Sequence, residues 1–539
     1  VTTATAHFAP LAPTRAPVNK WLVTLSVTFG TLMGAIDTSI VAVATPHLSG
    51  SLNATVEEMT WVTTGFVIAT VVVMPLTAFL GRFFGQKRVY LFSLGLFLLG
   101  SALCGLARSL PMMVACRALQ GLGAGALQPT EQAILRQTFP PEEQGMAMAL
   151  FGLAVVVGPA AGPVLGGYII DNMSWPWIFY INLPVGLLGI LMVTRFVHEP
   201  EDIRRANHAR AEEQRKNFDW QGIALMTTGL ACLQYVLEEG SRNDWFQSSA
   251  ILVCTFLAVF LLAGFVIREL TAPVPAVDLS LFKDGIFASG TIIGAIMFAI
   301  LMSITFLLPL FMQEMLGFSA MQSGQALMPR ALAMMVAIPI VGRLYNIVQA
   351  RILVIIGVLL VAFSTYQMSH YTLNTGAGSV VAAIVMQGFG FASLFVPLTT
   401  VALATIPRYR LTDATGLNSL LRQIGGSLGL AAFATLLPHF IQGARVGLVA
   451  HLAPGSPAVQ QRLAMIQSGL GARGLNPAAA PAAAQRALDG LIARQASLLA
   501  FERMFLLAGI AFLFVIPLAL YLKAPARKPG AAKPSVDLH

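Results

Sequence analysis

FGLAVVVGPAAGPVLGG, from Phe151 to Gly167, lies inside an apolar run that continues to Ile170. Read as a membrane-spanning helix, it places Gly158, Gly162 and Gly166 at i, i+4 and i+8, a smooth stripe on which a second helix can lie closely. Pro159 and Pro163 repeat at the same spacing, and Gly167 doubles the last glycine. A proline this deep deletes a backbone hydrogen bond that lipid cannot replace, so neighbouring helices must cover the freed carbonyls or the helix must bend. The segment is therefore a candidate gate; a tightly packed structural helix is the competing reading.

The whole chain has the composition of a membrane protein. Of its 539 residues 56% are hydrophobic and only 11% charged, and mean hydropathy is +0.75, whereas soluble domains carry roughly 25% charged residues. The net charge of +9 would suggest nucleic acid in a soluble protein; here it concerns which side of a bilayer the lysines occupy, and no nucleic-acid partner is expected. The four cysteines, Cys104, Cys116, Cys232 and Cys254, sit in apolar runs without ligand spacing, so neither disulfides nor a metal site is expected. No P-loop, GxSxG or HExxH motif is present, so the sequence points to neither an enzyme nor a bound cofactor.

Runs of about 20 apolar residues define about fourteen spans. They lie near 21–44, 59–80, 89–107, 111–134, 145–170, 177–196, 219–238, 248–267, 286–311, 323–345, 352–369, 379–406, 412–437 and 502–522. With both termini inside, the cytoplasmic loops collect Arg82, Lys87 and Arg88, then Arg136, Arg204 to Lys216, Arg268 and Lys283, Arg343 and Arg351, and Arg408 and Arg410. The outer short loops keep Arg108 and Arg242, edged by Trp61, Trp175, Trp177 and Trp245 as an interfacial belt would be. The basic turn Gly81-Arg82-Phe83-Phe84-Gly85-Gln86-Lys87-Arg88 is echoed by Gly342-Arg343 through Arg351, one turn early in each half, as two repeated bundles require. The expected division is a disordered cytoplasmic tail, 1–20; a six-helix bundle, 21–197; charged loops and an inserted pair of helices, 198–284; a second six-helix bundle, 285–523, with an outer insertion at 438–500; and a cytoplasmic tail, 524–539.

Ionisable groups inside spans are the sharper functional signal, because a charge in hydrocarbon is costly and usually faces a partner or a water cavity. Asp37 lies about 24 Å from the inner end of the first span, and Arg117 about 9 Å in from the outer end of the fourth, at 1.5 Å per residue. Their depths agree. A carboxylate paired with arginine in one state and protonated in another can carry a proton; a permanent structural ion pair is the alternative. Gln120 adds an amide beside Arg117. In the second half Glu314 ends span nine, Arg330 lies shallowly in span ten, Asp413 opens span thirteen and Arg422 is near its middle. Glu314 also reads as a solvated end residue, Asp413 as a helix start with favourable dipole placement, and Glu131 as interfacial.

Together these motifs resemble the fourteen-helix drug:proton antiporters of the major facilitator superfamily, EmrB/QacA type. Gly158-Pro159 through Gly162-Pro163 to Gly166-Gly167 is similar to their antiporter motif. Arg117-Ala118-Leu119-Gln120-Gly121 is similar to the span-four motif, Asp37-Thr38-Ser39-Ile40-Val41 through Pro46 to the span-one motif, and Trp177 through Pro184 and Gly416 through Ser427 to later ones. The resemblance implies an all-α polytopic membrane protein with the major facilitator fold, two six-helix bundles plus a two-helix hairpin. It implies a proton-coupled exporter of hydrophobic or cationic compounds in a bacterial inner membrane, with a periplasmic adaptor and an outer-membrane channel as partners. An exporter or importer of one dedicated metabolite is the alternative, and a membrane-embedded enzyme or receptor a remote one. Proton coupling would fall to Asp37, Arg117 and Asp413, gating to the glycines and prolines of residues 158–167, and Gln120, Glu314, Arg330 and Arg422 would serve substrate or coupling. Two departures matter: Arg82-Phe83 stands where many relatives have an aspartate followed by arginine, so a lock made by that aspartate must be weaker here or made elsewhere; and Pro176 replaces a common arginine.

Overall fold

In the computed structural model the described residues are 19–201, 203–205, 207, 211–212, 219–272, 275–450, 452, 456–472, 476 and 478–522. The tails expected at 1–20 and 524–539 fall almost wholly outside them, as does most of the Arg204 to Lys216 cluster. The described chain is helical. The N-terminal bundle comprises α1 (Lys20–Leu52), α2 (Val56–Val73), α3 (Leu76–Phe84), α4 (Gln86–Gly105), α5 (Leu110–Thr138), α6 (Gln144–Asn172), α7 (Trp177–Tyr180) and α8 (Asn182–Phe196). A hairpin follows, α9 (Trp220–Glu239) and α10 (Ser249–Thr271). The C-terminal bundle is α11 (Gly285–Glu314), α12 (Ala320–Leu344), α13 (Ala350–Met368), α14 (Ala377–Val401), α15 (Leu411–Ala450), α16 (Pro457–Ala472), α17 (Ala480–Leu513) and α18 (Val515–Leu520).

Helix starts follow local chemistry. Thr55 with Glu58 and Ser319 with Gln322 form capping boxes at α2 and α12, and the Asp284 carboxylate accepts from the Ile286 and Phe287 amides at the start of α11. Between α2 and α3 the chain bends by 57° where Pro75 removes a donor from the ladder. The start of α15 packs into that bend: a Cβ on Gly416 would lie 3.0 Å from the Met74 carbonyl oxygen.

Among the described residues twelve helices are long and apolar enough to cross a membrane, thirteen with the bent α2/α3 pair. The expected count was about fourteen. The difference is α9, which occupies the expected seventh position but carries Gln221, Gln234, Glu238 and Glu239 and is not among the twelve. Gln221 is exposed, but Gln234, Glu238 and Glu239 face the bundles. Thr64 and Thr60 of α2 donate to Glu239, and Gln234 donates to Ser427 of α15 at 2.6 Å. The hairpin therefore bridges both bundles rather than standing apart in lipid.

The outer insertion, expected to begin at Pro438, instead starts as helix: α15 runs through Pro438 to Ala450. With 40 residues it is about 60 Å long, twice a hydrocarbon core of about 30 Å. α17 packs beside it and α16 packs on α17, and α17 continues from Ala480 into the bundle.

Candidate functional site

The stripe of α6 lies directly on α1. A Cβ on Gly158 would meet that of Ala35 at 2.3 Å, on Gly162 the Ser39 hydroxyl at 1.8 Å and on Gly166 Ile40 at 2.8 Å. Gly167 faces away, 3.9 Å from Met321 of α12. The Ser39 hydroxyl also approaches the Gly158 carbonyl at 3.3 Å. Despite its two internal prolines α6 is one continuous helix, and Pro159 and Pro163 line a cavity on its other side.

Above that seam the structure brings Asp37 and Arg117 together. Arg117 Nη1 donates to Asp37 Oδ2 at 2.5 Å and to Gln120 Oε1 at 2.8 Å, while Gln120 Nε2 donates to Asp37 Oδ1 at 2.9 Å. Asn182 of α8 donates to the same Oδ1 at 3.1 Å and to the Ser101 hydroxyl of α4 at 3.0 Å. Arg117 Nε reaches the Val62 carbonyl at 3.3 Å, and the guanidinium lies 4.3 Å from the Phe66 ring centroid. Asp37 is 0% and Arg117 1% exposed. Donors of α5 and α8 thus meet on one buried carboxylate of α1, and α2 and α4 join through Arg117 and Asn182. A proton on Asp37 would remove an acceptor on which three donors converge and would loosen all five at once.

At the basic end of the bundles Asp413 does not turn toward Arg422; it faces Arg82. Arg82 Nη1 donates to Asp413 Oδ1 at 2.7 Å and Nη2 to the Ala276 carbonyl at 2.9 Å, with both side chains under 5% exposed. Asp413 is in the first turn of α15, where a carboxylate also suits the helix dipole. An ion pair thus joins the loop motif of the first half to the start of α15 in the second. Gln86 donates to Thr412 at 2.6 Å and Arg408 to the Gln137 carbonyl at 2.7 Å beside it. The backbones nearly touch there: a Cβ on Gly145 of α6 would lie 2.9 Å from the Gly342 carbonyl oxygen of α12, whereas at the far end of this helix pair Gly324 has only Pro163 at 4.0 Å. The molecule is closed at its basic end.

In the rest of the loop motif, Gly81 faces Thr412 and Lys87 donates to the Thr194 carbonyl at 2.7 Å. Gly85 has φ +83°, and a Cβ there would lie 2.6 Å from Glu199 Oε2. Only glycine permits both that conformation and that approach. Glu199 accepts from Asn207 at 3.2 Å; burial raises its carboxyl above the usual range, against the opposing pull of Arg204 and Arg88.

In the C-terminal bundle Glu314 is an exposed end residue. Arg330 donates to the Thr305 hydroxyl at 3.1 Å, and Arg422 lies 5.4 to 6.0 Å from the ring centroids of Phe298, Phe395 and Phe151. The two residues are not in contact with any carboxylate among the described residues. Two central cavities lie between these groups. One, about 120 Å³, is bounded by Thr31, Thr38, Phe66 and Gln128 of the N-terminal bundle with Gln423 of α15. The other, about 140 Å³, lies between α6, α11, α12 and α14. Both are smaller than the roughly 300–1,000 Å³ of a drug-sized pocket.

Three residues escaped the sequence reading. Asn182 and Ser101 carry no charge, and nothing in their local pattern distinguishes them from helix-packing polar groups. Glu131 does carry one, but its place near a span end suggested an interface; it is in fact 0% exposed and accepts hydrogen bonds from Thr28 at 3.1 Å and from Thr31. The signal was Thr28 and Thr31, three residues apart on α1 at the matching depth.

Residues 27–430 match the family model described as the Major Facilitator Superfamily. The fatty acid resistance protein FarB of Neisseria gonorrhoeae is 32% identical over 96% of this chain and 99% of its own length. The multidrug export protein EmrB of Escherichia coli (strain K12) is 32% identical over 94% of this chain and 95% of its own length. EmrB of Haemophilus influenzae is 34% identical over 81% and 84%. Among solved structures, the human organic anion transporter MFSD10 superposes with a TM-score of 0.58 at 14% identity over 92% of this chain and all of that one. The proton:xylose symporter XylE does so with the same score and identity, over 92% and 96%. The matching family model spans most of the N-terminal bundle with the α1–α6 seam and the buried Asp37 cluster, the hairpin, and the C-terminal bundle as far as the middle of α15, and the chain belongs to the Major Facilitator Superfamily.

Proposed function

We propose that this chain is a proton-coupled exporter of hydrophobic and amphipathic compounds, working in a bacterial inner membrane by alternating access. The observation that carries the reading is the buried Asp37 carboxylate on which donors from α5 and α8 converge. Protonation from outside frees Arg117, Gln120 and Asn182 together; release of that proton inside rebuilds the cluster, so the gradient is spent on rearranging five helices. Relatives named multidrug export proteins at 32% and 34% identity support a drug-like substrate range. In this reading residues 21–197 and 285–523 are the rocking units, 198–284 joins them, and both termini are cytoplasmic. The basic end then faces the cytoplasm, Arg82 with Asp413 is the inner lock, and the small central cavities widen when it opens. The projection at 438–500 receives a periplasmic adaptor that continues the path to an outer-membrane channel.

The test is proton release on adding a substrate to proteoliposomes holding the full chain under an imposed pH gradient. Substrate-dependent release that Asp37→Asn eliminates is expected. Substrate flux with no coupled proton movement would refute the antiport.

A further inference from the structure

Two buried arginines of this protein are held by carboxylate and carbonyl oxygens. Arg82 takes Asp413 and the Ala276 carbonyl, and Arg117 takes Asp37, Gln120 and the Val62 carbonyl. Arg330 and Arg422 have no carboxylate: the partly buried Arg330 has the Thr305 hydroxyl at 3.1 Å, and Arg422 only the Ser419 hydroxyl at 3.5 Å. Arg330 Nη1 and Arg422 Nε and Nη1 are buried with no hydrogen-bond partner. No acid near them is left to pair: α12 and α14 contain neither Asp nor Glu, α11 only the exposed Glu314 and α6 only Asp171 near its far end, while Asp413 of α15 is taken by Arg82 and Glu131 of α5 by Thr28 and Thr31. An unneutralised guanidinium with unmade hydrogen bonds is costly in an apolar interior. Its persistence at two positions in one bundle points to an acceptor that comes from outside.

The surroundings say what kind. Arg330 and Thr305 are polar lining groups of the cavity between α6, α11, α12 and α14, whose walls are otherwise Met297, Leu301, Met302, Leu327, Phe391 and Phe395 with their neighbours. Phe298 and Phe395 line the same cavity and lie beneath the Arg422 guanidinium, 5.4 and 5.7 Å from it. The ring faces offset part of that charge but offer its N–H groups no lone pair. Gln387 is four residues before Phe391 on the same face of α14, and its amide nitrogen and oxygen are both buried without partners. A planar fork of donors beside an apolar chamber matches a carboxylate or another acidic oxygen pair carried on a hydrophobic body.

We propose that the cavity between α6, α11, α12 and α14 is a binding subsite for amphipathic anions, with Arg330 and Thr305 holding the acidic head and Arg422 adding positive potential from behind Phe298 and Phe395. The inference rests on the export reading and names its substrate class. It also sets the electrical cost of the cycle. One proton entering for one monoanion leaving carries two positive charges inward, so an inside-negative potential drives it; the same exchange with a monocation carries none.

The decisive experiment compares two probes with one aromatic body and opposite charge, 1-naphthaleneacetate and 1-naphthylmethylamine, binding to the purified full chain in nonionic detergent without any gradient. The carboxylate is expected to bind and the amine not. Arg330→Gln should weaken carboxylate binding by about tenfold or more, with Arg330→Lys retaining part of it because charge survives while the fork is lost. Displacement of the probe by short-chain phosphatidylglycerol would identify a lipid head as occupant of the anion subsite, and failure to displace it would assign the subsite to free acids. Equal binding of the amine, no binding of the carboxylate, or undiminished binding by correctly folded Arg330→Gln overturns the proposal. Because no gradient is used, the two readings fail separately: selective binding without proton-linked flux in proteoliposomes defeats export alone, and proton-linked flux without charge selectivity defeats the subsite alone.

Discussion

Arg117 and Arg422 are both guanidiniums buried in the middle of apolar helices, 1% and 4% exposed, yet the two halves of the molecule treat them in opposite ways. The N-terminal bundle surrounds Arg117 with a carboxylate, an amide and a backbone carbonyl. The C-terminal bundle surrounds Arg422 with phenylalanine rings and leaves two of its nitrogens unbonded. A closed network stores a switch, because changing the charge of one member releases all the others. An open one stores affinity, because its missing partner can arrive and leave. Proton and substrate can then be handled in different halves, coupled through the interface between them.

The largest expected effects test that division. Asp37→Asn should leave the protein folded, since an amide can replace the carboxylate in size and partly in hydrogen bonding, but should abolish gradient-driven export. Normal proton coupling in that variant would break the comparison at its first step. Arg117→Leu should instead destabilise by about 3–5 kcal/mol, because it strands the Asp37 carboxylate in the interior. Arg422→Leu strands nothing and should leave thermal stability nearly unchanged or raise it. Equal losses in Arg117→Leu and Arg422→Leu, read by thermal unfolding of the purified proteins, would show that the two halves do not differ.

Next in size is the seam that carries the N-terminal switch. Gly162→Leu must push α6 off α1, since even a Cβ would fall 1.8 Å from the Ser39 hydroxyl. Transport should be lost while substrate binding, housed across α6 on the proline side, is largely kept; Pro159→Ala should stiffen the same helix with a smaller loss. Export by Gly162→Leu at the normal rate would show that the stripe is not a close interface in the working protein.

One charge pair belongs to neither half. Arg82 and Asp413 neutralise each other across the bundles, so Arg82→Ala should favour opening of the basic end and reduce coupled export several-fold without unfolding either bundle. The exchanged double variant Arg82→Asp with Asp413→Arg should recover part of the loss. Absence of any recovery would argue that Ala276, which also accepts from Arg82, matters more than the charge.

These cases show what the sequence could and could not reveal. Asp37 and Arg117 were legible because each is a charge deep in an apolar run, and depth follows from residue counting. The glycine stripe was legible because its period is that of a helix face. The Arg82 and Asp413 pair was not: its members are 331 positions apart, and each looks complete alone, one as a basic turn and the other as a helix start. Glu131 was misplaced because position along a span gives depth but not which face is covered. The polar contacts of the seventh helix were not legible, because length and mean composition do not say that Glu238 and Glu239 turn toward the bundles.

The smallest effect on transport is expected from the region that touches neither buried charge. The projection formed by the ends of α15 and α17 with α16 is rooted by Arg494, which donates to the Met315 carbonyl at the end of α11 at 2.9 Å. Higher up, Arg445 pairs with Asp489 at 2.7 Å, but both side chains are more than half exposed, so that pair contributes little. The apolar-spaced run Leu488, Leu491, Ile492, Gln495, Leu498 and Leu499 grades along this length: Leu498 is buried against the base, whereas Leu491 is 47% exposed. Val446, Val449 and Met465 are exposed as well. Exposed apolar side chains on helices that outrun the bilayer suit a partner better than solvent. Shortening residues 440–485 removes most of that surface and keeps the Arg494 root. It should therefore spare flux in proteoliposomes, which need only the bundles, while abolishing adaptor association and cellular resistance. Pull-down of an adaptor by the shortened protein at full yield would decide against a docking role, and loss of flux in proteoliposomes would favour the other reading, a lid that belongs to the transport cycle itself.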